Sequence, residues 1–208
     1  MTLDNGRLRW VLVPTAGDPT VDVMTTTAIT QSAVPQITGD ERAARLTEAG
    51  SAWAERIDAD RSNSHLTYGV EGAGAGSVAT TVRAGKHSFV VDEPAALAGD
   101  DAGTSPVEYA LGALAGCQVV VYRLYAQQLG IPFDDIVIRA EADLDAARLF
   151  GADESVRAGF SEVRLDIELS GPESNERYDE LREAVDAHCP VLDIFQNPTP
   201  VKTTVTRA

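Results

Sequence analysis

A chain of 208 residues with 44% apolar content and a formal charge of −15 is long enough to bury a real core and too acidic to hold a phosphate backbone. Its only lysines are Lys86 and Lys202, so neither nucleic acid nor an anionic membrane is an expected partner. The most apolar run, Ala110 to Tyr122, is too short to cross a bilayer and contains Gln118, and Met1 to Trp10 lacks the apolar centre of a secretory signal, so a cytoplasmic protein is expected.

Residues 1–63 read as an N-terminal extension, with strands over Arg7 to Val13 and Val21 to Ile29 and a helix over Asp40 to Ile57. Ala44, Leu46, Ala49, Trp53 and Ile57 are available for that helix's packed face. Residues 64–208 read as the main domain. His65 to Val70, Ser77 to Arg83 and His87 to Val91 are short strand patterns parted by glycine-containing turns. The run Gly72 to Gly76 resembles a phosphate loop but lacks the closing Lys-Ser/Thr, and no helix pattern follows it; it reads as a turn. Asp92 to Gly103 reads as a loop.

Pro106 to Leu129 reads as a long helix, opened by a Ser105-x-x-Glu108 capping box with proline at its first position and closed by Gly130 and Pro132. Ile136 to Leu144 alternates as a strand. Asp145 to Gly159 is a loop, and Val163, Leu165, Ile167 and Leu169 alternate with charged residues in the clearest strand of the chain. Asn175 to Cys189 reads as a second helix stopped by Pro190, and Thr203 to Thr206 as a last strand. The order predicts an α+β fold with helices packed on a mainly antiparallel sheet.

Two cysteines are too few for a cysteine zinc site, the three histidines are scattered, and an intracellular chain seldom carries a structural disulfide; neither metal nor cofactor is expected. Two buried free thiols is the plain alternative to a reactive pair. Cys117 lies well inside a helix whose stretch Ala110 to Cys117 carries no charge, so the helix dipole helps its thiolate little and a cation from another element would have to activate it. Cys189 stands at the edge of the face formed by Tyr178, Leu181, Val185 and His188, at a helix C-terminus where the dipole disfavours a thiolate. With a cation beside Cys117, this favours an order in which Cys117 reacts first and Cys189 resolves. Arg83 is the candidate cation, though a solvated strand arginine reads equally well. Arg123, six residues past Cys117, points elsewhere on the helix.

His87 to Pro94, Gly103 to Glu108, Ala113 to Cys117, and Cys189-Pro190-Val191 with Asn197 to Val201 together resemble the OsmC/Ohr family, the osmotically inducible protein C and organic hydroperoxide resistance proteins. The resemblance covers about residues 65–206. It implies an intertwined homodimer with two long central helices and sites at the interface. It also implies a thiol peroxidase in which Cys117 attacks an organic hydroperoxide, Cys189 resolves, and a dithiol reductant restores both. In that family's peroxidases a glutamate stands ten residues before the peroxidatic cysteine and pairs with an activating arginine. Here that position is Val107, and the acid is Glu108. Within one chain Glu108 lies opposite Cys117 on the helix, so it either caps the helix or acts across the dimer. Two other readings stand beside the enzyme: a binding protein holding a small thiol, persulfide or apolar ligand, and an inert pair of core thiols.

Overall fold

The structure, a computed structural model, describes residues 2–4, 7–9 and 34–207, so the strand expected at Val21 to Ile29 lies outside the described residues. Two compact units emerge, one from residues 1–37 with 144–161 and one from 38–143 with 162–208. In the first, β1 (Thr2–Asp4) pairs antiparallel with β2 (Arg7–Arg9), Leu3 opposite Leu8. The segment 144–161 holds no strand or helix, as expected. It is organised by Arg148, whose guanidinium donates to the carbonyls of Glu154 and Val156 at 2.9 and 3.0 Å.

The second unit opens with α1 (Gly39–Ala59), started by a capping box in which the Thr38 side chain and Glu41 satisfy each other's backbone N–H groups. The packed face differs from the sequence expectation. Arg42, Ala43, Leu46 and Ile57 are half-buried, whereas Ala44, Ala49 and Trp53 are exposed and no residue of α1 is buried. Leu46 and Ile57 keep the expected face, and Thr47 ties the helix to α2, its hydroxyl accepting from Gln127 Nε2 at 3.1 Å. Trp53 instead carries the Arg56 guanidinium 5.0 Å above its ring.

A three-stranded antiparallel meander follows: β3 (Glu71–Ala75), β4 (Ala79–Ala84) and β5 (His87–Val91). The glycine run expected as a turn is itself a strand, and His65 to Val70 is irregular. Glycine leaves no side-chain pattern to read, yet it lets the backbones close up: a Cβ at Gly72 would meet Thr80 Cγ2 at 3.1 Å. No residue of the meander is buried within this chain. Its anchor to the rest is Tyr109, whose hydroxyl donates to the Val90 carbonyl at 3.1 Å and whose ring lies 4.8 Å from that of Phe89.

The loop after β5 is built on Asp92, 2% exposed, whose carboxylate accepts from the N–H groups of Asp100 and Ala102 at 3.0 and 3.1 Å. Gly99 and Gly103 are places where no other residue fits, since a Cβ would lie 1.7 Å from the Glu93 oxygen and 2.3 Å from the Val90 oxygen. The loop delivers the chain into α2 (Pro106–Leu129), with the capping box of Ser105 and Glu108 and a left-handed Gly130 at its end, as the sequence predicts.

One face of α2, through Leu114, Gln118, Val121, Tyr122 and Ala126, forms the centre of the core. The opposite stripe, Ala113, Gly116, Val120 and Leu124, is apolar and exposed, Val120 by 57%. The strands β6 (Asp135–Asp143) and β7 (Glu162–Ser170) pair in register, Ile138 opposite Ile167 and Ala140 opposite Leu165. Ile136, Val163, Leu165, Ile167 and Leu169 turn inward onto the core, while Val137 stays on the outer face. On the outer face Arg139 sits against Asp166 and Glu168, and Arg164 against Glu141, Asp143 and Glu162.

α3 (Asn175–His188) lays Leu181 and Val185 against α2. Pro190 does not end the helical region as expected. It occupies the first position of another helix, α4 (Pro190–Gln196), where its missing N–H costs nothing. Thr203 to Thr206 is not a strand here. Residues 197–207 run without regular structure and exposed, and among the described residues no strand pairs with them.

Candidate thiol site

Cys117 is half-buried near the middle of α2, and Cys189, 2% exposed, is the single residue between α3 and α4. Both are free thiols, and Cys117 packs against the buried cluster to which Cys189 belongs, near enough to influence its thiol. Burial pushes the Cys189 thiol above its ordinary range. The N–H of Leu192 pulls it back, the Cys117 thiol adds to the rise, and the N–H of Val191 opposes it more weakly.

Those two N–H groups revise the electrostatic reading of Cys189. The residue ends α3, where the dipole is unfavourable, but it is also the N-cap of α4; its sulfur makes no capping hydrogen bond there, yet the nearby N–H groups of Leu192 and Val191 favour the thiolate. Cys-Pro carries a signal for this, since proline favours the first position of a helix as well as the residue after one.

The other expected site residues hold defined posts. Glu108 is engaged in the cap, its carboxylate accepting from the Ser105 N–H at 3.1 Å and the Ser105 hydroxyl at 2.6 Å. Arg83, on β4, pairs with Glu71 of β3, with about 70% of each side chain exposed. Arg123 lies over the Phe133 ring at 4.9 Å. His188 stacks on Tyr125, ring centroids 4.6 Å apart, with its Nδ1 2.7 Å from the Ala184 carbonyl oxygen. Within one chain neither Arg83 nor Glu108 is brought to the thiols by any described hydrogen bond or ion pair.

One residue beside the thiols escaped the sequence reading. Gln118 follows Cys117, is fully buried, and has neither amide atom hydrogen-bonded. An unpaired buried amide costs about 1–3 kcal/mol. Its only sequence signal was a lone polar residue in an apolar helix. Among the described residues no group of histidine, cysteine and carboxylate side chains could hold a metal ion, and no helix is long and apolar enough to cross a membrane.

A free thiol at mid-helix facing a second thiol at a helix–helix corner, in a fold of helices on antiparallel strands, defines a two-cysteine α+β protein. The sequence profile described as OsmC-like protein matches residues 99–204, a span that contains both cysteines, and the chain belongs to that family. No curated protein matches it. Among solved structures it is similar to an OsmC like protein from Mycoplasma pneumoniae, with 19% identity over 63% of this chain and 88% of that one and a TM-score of 0.56. An organic hydroperoxide resistance protein from Elizabethkingia anophelis shares 20% identity over 64% and 90% of the two chains, TM-score 0.51. A protein from Legionella pneumophila described as organic hydroperoxide resistance protein OsmC and predicted redox protein shares 20% over 63% and 90%, TM-score 0.50. At these identities the likeness is one of fold.

Proposed function

We propose that the chain is a thiol peroxidase that reduces organic hydroperoxides as a homodimer. The observation that carries this reading is the pair of free thiols in one part of the core, Cys117 partly open on α2 and packed against the buried cluster that holds Cys189. The Cys117 thiolate attacks the O–O bond of a hydroperoxide. Cys117 takes the terminal oxygen and becomes a sulfenic acid, and the departing alkoxide takes up the proton the thiol had lost and leaves as the alcohol. The Cys189 thiol then condenses with the sulfenic acid, releasing water and forming the 117–189 disulfide. A dithiol reductant regenerates both thiols and departs as its own disulfide.

The exposed apolar stripe of α2 and the unburied meander support a second copy as the missing cover. Arg83 and Glu108 have other posts within one chain, so in this reading either would reach Cys117 only across the dimer. Arg83 is the better candidate, because an exposed ion pair such as that with Glu71 is worth at most about 1 kcal/mol and is easily exchanged.

Val107 at the family's glutamate position, 41% exposed, favours a second reading, a protein that holds a small thiol or persulfide without turnover. Consumption of cumene hydroperoxide with dithiothreitol, by the native protein and by Cys117→Ser and Cys189→Ser, separates the two. Turnover that vanishes in Cys117→Ser supports the peroxidase. No turnover with any hydroperoxide leaves the binding reading.

A further inference from the structure

Away from the thiols, a cavity of about 430 Å³ opens where the first turns of α1 meet the end of α2 and the start of β6. That volume lies within the roughly 300–1,000 Å³ usual for small-molecule pockets. Its charged lining is Arg42, Arg123, Asp40 and Asp134, and Leu46 and Ala126 contribute apolar wall.

The two arginines are the charged groups of this lining that a ligand could engage. Acidic residues outnumber basic ones in this chain 32 to 17, and Arg83, Arg139, Arg148, Arg164, Arg177 and Arg182 all take carboxylate partners. Arg42 and Arg123 face one cavity, and among the described residues neither makes an ion pair, although Asp40 and Asp134 line the same space. Arg123 is fixed by its position over Phe133 rather than by an acid. Burial lowers its proton affinity, the like charge of Arg42 lowers it further, and Asp135 opposes both. Two guanidinium groups on one cavity wall, neither closed off by a carboxylate at ion-pair distance, offer a fork for an oxyanion.

The rest of the lining narrows the class. Two carboxylates beside two guanidinium groups leave the pocket near neutral, which penalises a polyanion and suits a single negative charge. The apolar wall suits a hydrocarbon part. We propose that this cavity binds a small organic monocarboxylate, its carboxylate between Arg42 and Arg123 and its apolar end against Leu46 and Ala126. One wall of the site is α1, which lies outside residues 99–204, so the pocket is a property of this chain beyond the matched family region. The inference does not depend on the thiol chemistry.

Titration calorimetry on the full-length protein tests it with octanoate, octanamide and inorganic phosphate. Octanoate is expected to saturate one site per chain, octanamide to give no saturable heat, and phosphate to fail to displace octanoate at equal concentration. Arg42→Gln and Arg123→Gln should each weaken octanoate about tenfold or more, the loss expected for one charge-assisted hydrogen bond. Because α1 buries no residue, Arg42→Gln tests the site even if Arg123→Gln disturbs the fold. Binding in Cys117→Ser should equal that of the native protein. Equal affinity for octanamide, displacement by phosphate, unchanged affinity in Arg42→Gln, or no saturable octanoate heat up to millimolar concentration would each overturn the proposal.

Discussion

Cys117 and Cys189, 72 residues apart in the chain, are neighbours across the boundary between α2 and the α3–α4 corner. In the proposed cycle the two thiols close into a disulfide, which needs their Cα atoms within about 7 Å of each other. One equivalent of organic hydroperoxide should therefore convert the reduced protein to an intrachain 117–189 disulfide, seen by mass spectrometry as the loss of two hydrogens and of both alkylation sites. In Cys189→Ser the same treatment should stop at a sulfenic acid on Cys117, trapped with dimedone. A sulfinic acid on Cys117 in the native protein, with Cys189 still alkylatable after unfolding, would sink the pairing.

The role given to Arg83 separates cleanly from that of Glu108. Arg83→Gln should slow the oxidation of Cys117 by about tenfold or more if its charge stabilises the thiolate. Glu108→Gln should leave that rate within about twofold and lower stability by up to about 1 kcal/mol, as expected for weakening a helix cap. Stopped-flow oxidation and urea unfolding read the two effects. A rate loss in Glu108→Gln larger than in Arg83→Gln would reverse the assignment.

Gly112 and Gly116 on α2 have no atom within 4 Å of an added Cβ in the single chain. In isolation, Gly→Ala at each should stabilise the helix by about 1 kcal/mol. If a second copy packs closely along this stripe, the same methyl groups will hold the two helices apart. The expected outcome for Gly112→Ala with Gly116→Ala is a shift from dimer toward monomer in sedimentation velocity. An unchanged dimer with a higher melting temperature would show that the seam lies elsewhere.

Tyr122 is 1% exposed, and burial, followed by the charge of Asp186, pushes its hydroxyl up to about 12. In the unfolded chain a tyrosine ionises near about 10. Above that pH the unfolded state sheds a proton that the folded state keeps, so stability that is complete below about pH 10 drains away toward pH 12. The urea midpoint of the native protein should fall across this range, and Tyr122→Phe should fall less steeply. Parallel pH curves would place the alkaline sensitivity on another group.

Gly99→Ala puts a methyl group into the backbone of Glu93, a contact that no side-chain rotation relieves. A cost of about 1–3 kcal/mol is expected from overpacking, together with a looser start to α2 because this loop leads into Ser105. Thermal unfolding checks the first, and amide exchange at Tyr109 the second.

Much of this architecture was legible in the sequence where local chemistry decides it. The bounds of α2 follow from Ser105, Pro106, Glu108 and Gly130, each of which acts within one turn, and β7 follows from strict alternation between Val163 and Leu169. The misreadings arise where a distant partner decides. The β3 strand is made by pairing with β4, not by its own glycines. The face of α1 is chosen by where α2 lies. Thr203 to Thr206 reads as a strand and has no pairing neighbour among the described residues. In the site, the two cysteines stood out by scarcity, but their contact depends on how α3 packs against α2, and the N–H groups of Val191 and Leu192 depend on a seven-residue helix whose proline was taken as an ending.

Because a single residue joins α3 to α4, oxidation of Cys189 would fasten the whole C-terminal corner to the middle of α2 and close a large ring of chain. A cross-link of that span removes unfolded-state freedom worth about 4 kcal/mol in the chain-entropy picture. The protein would then have two heat tolerances, one for each redox state, and a melting curve taken during turnover would report what fraction of the molecules is awaiting reductant.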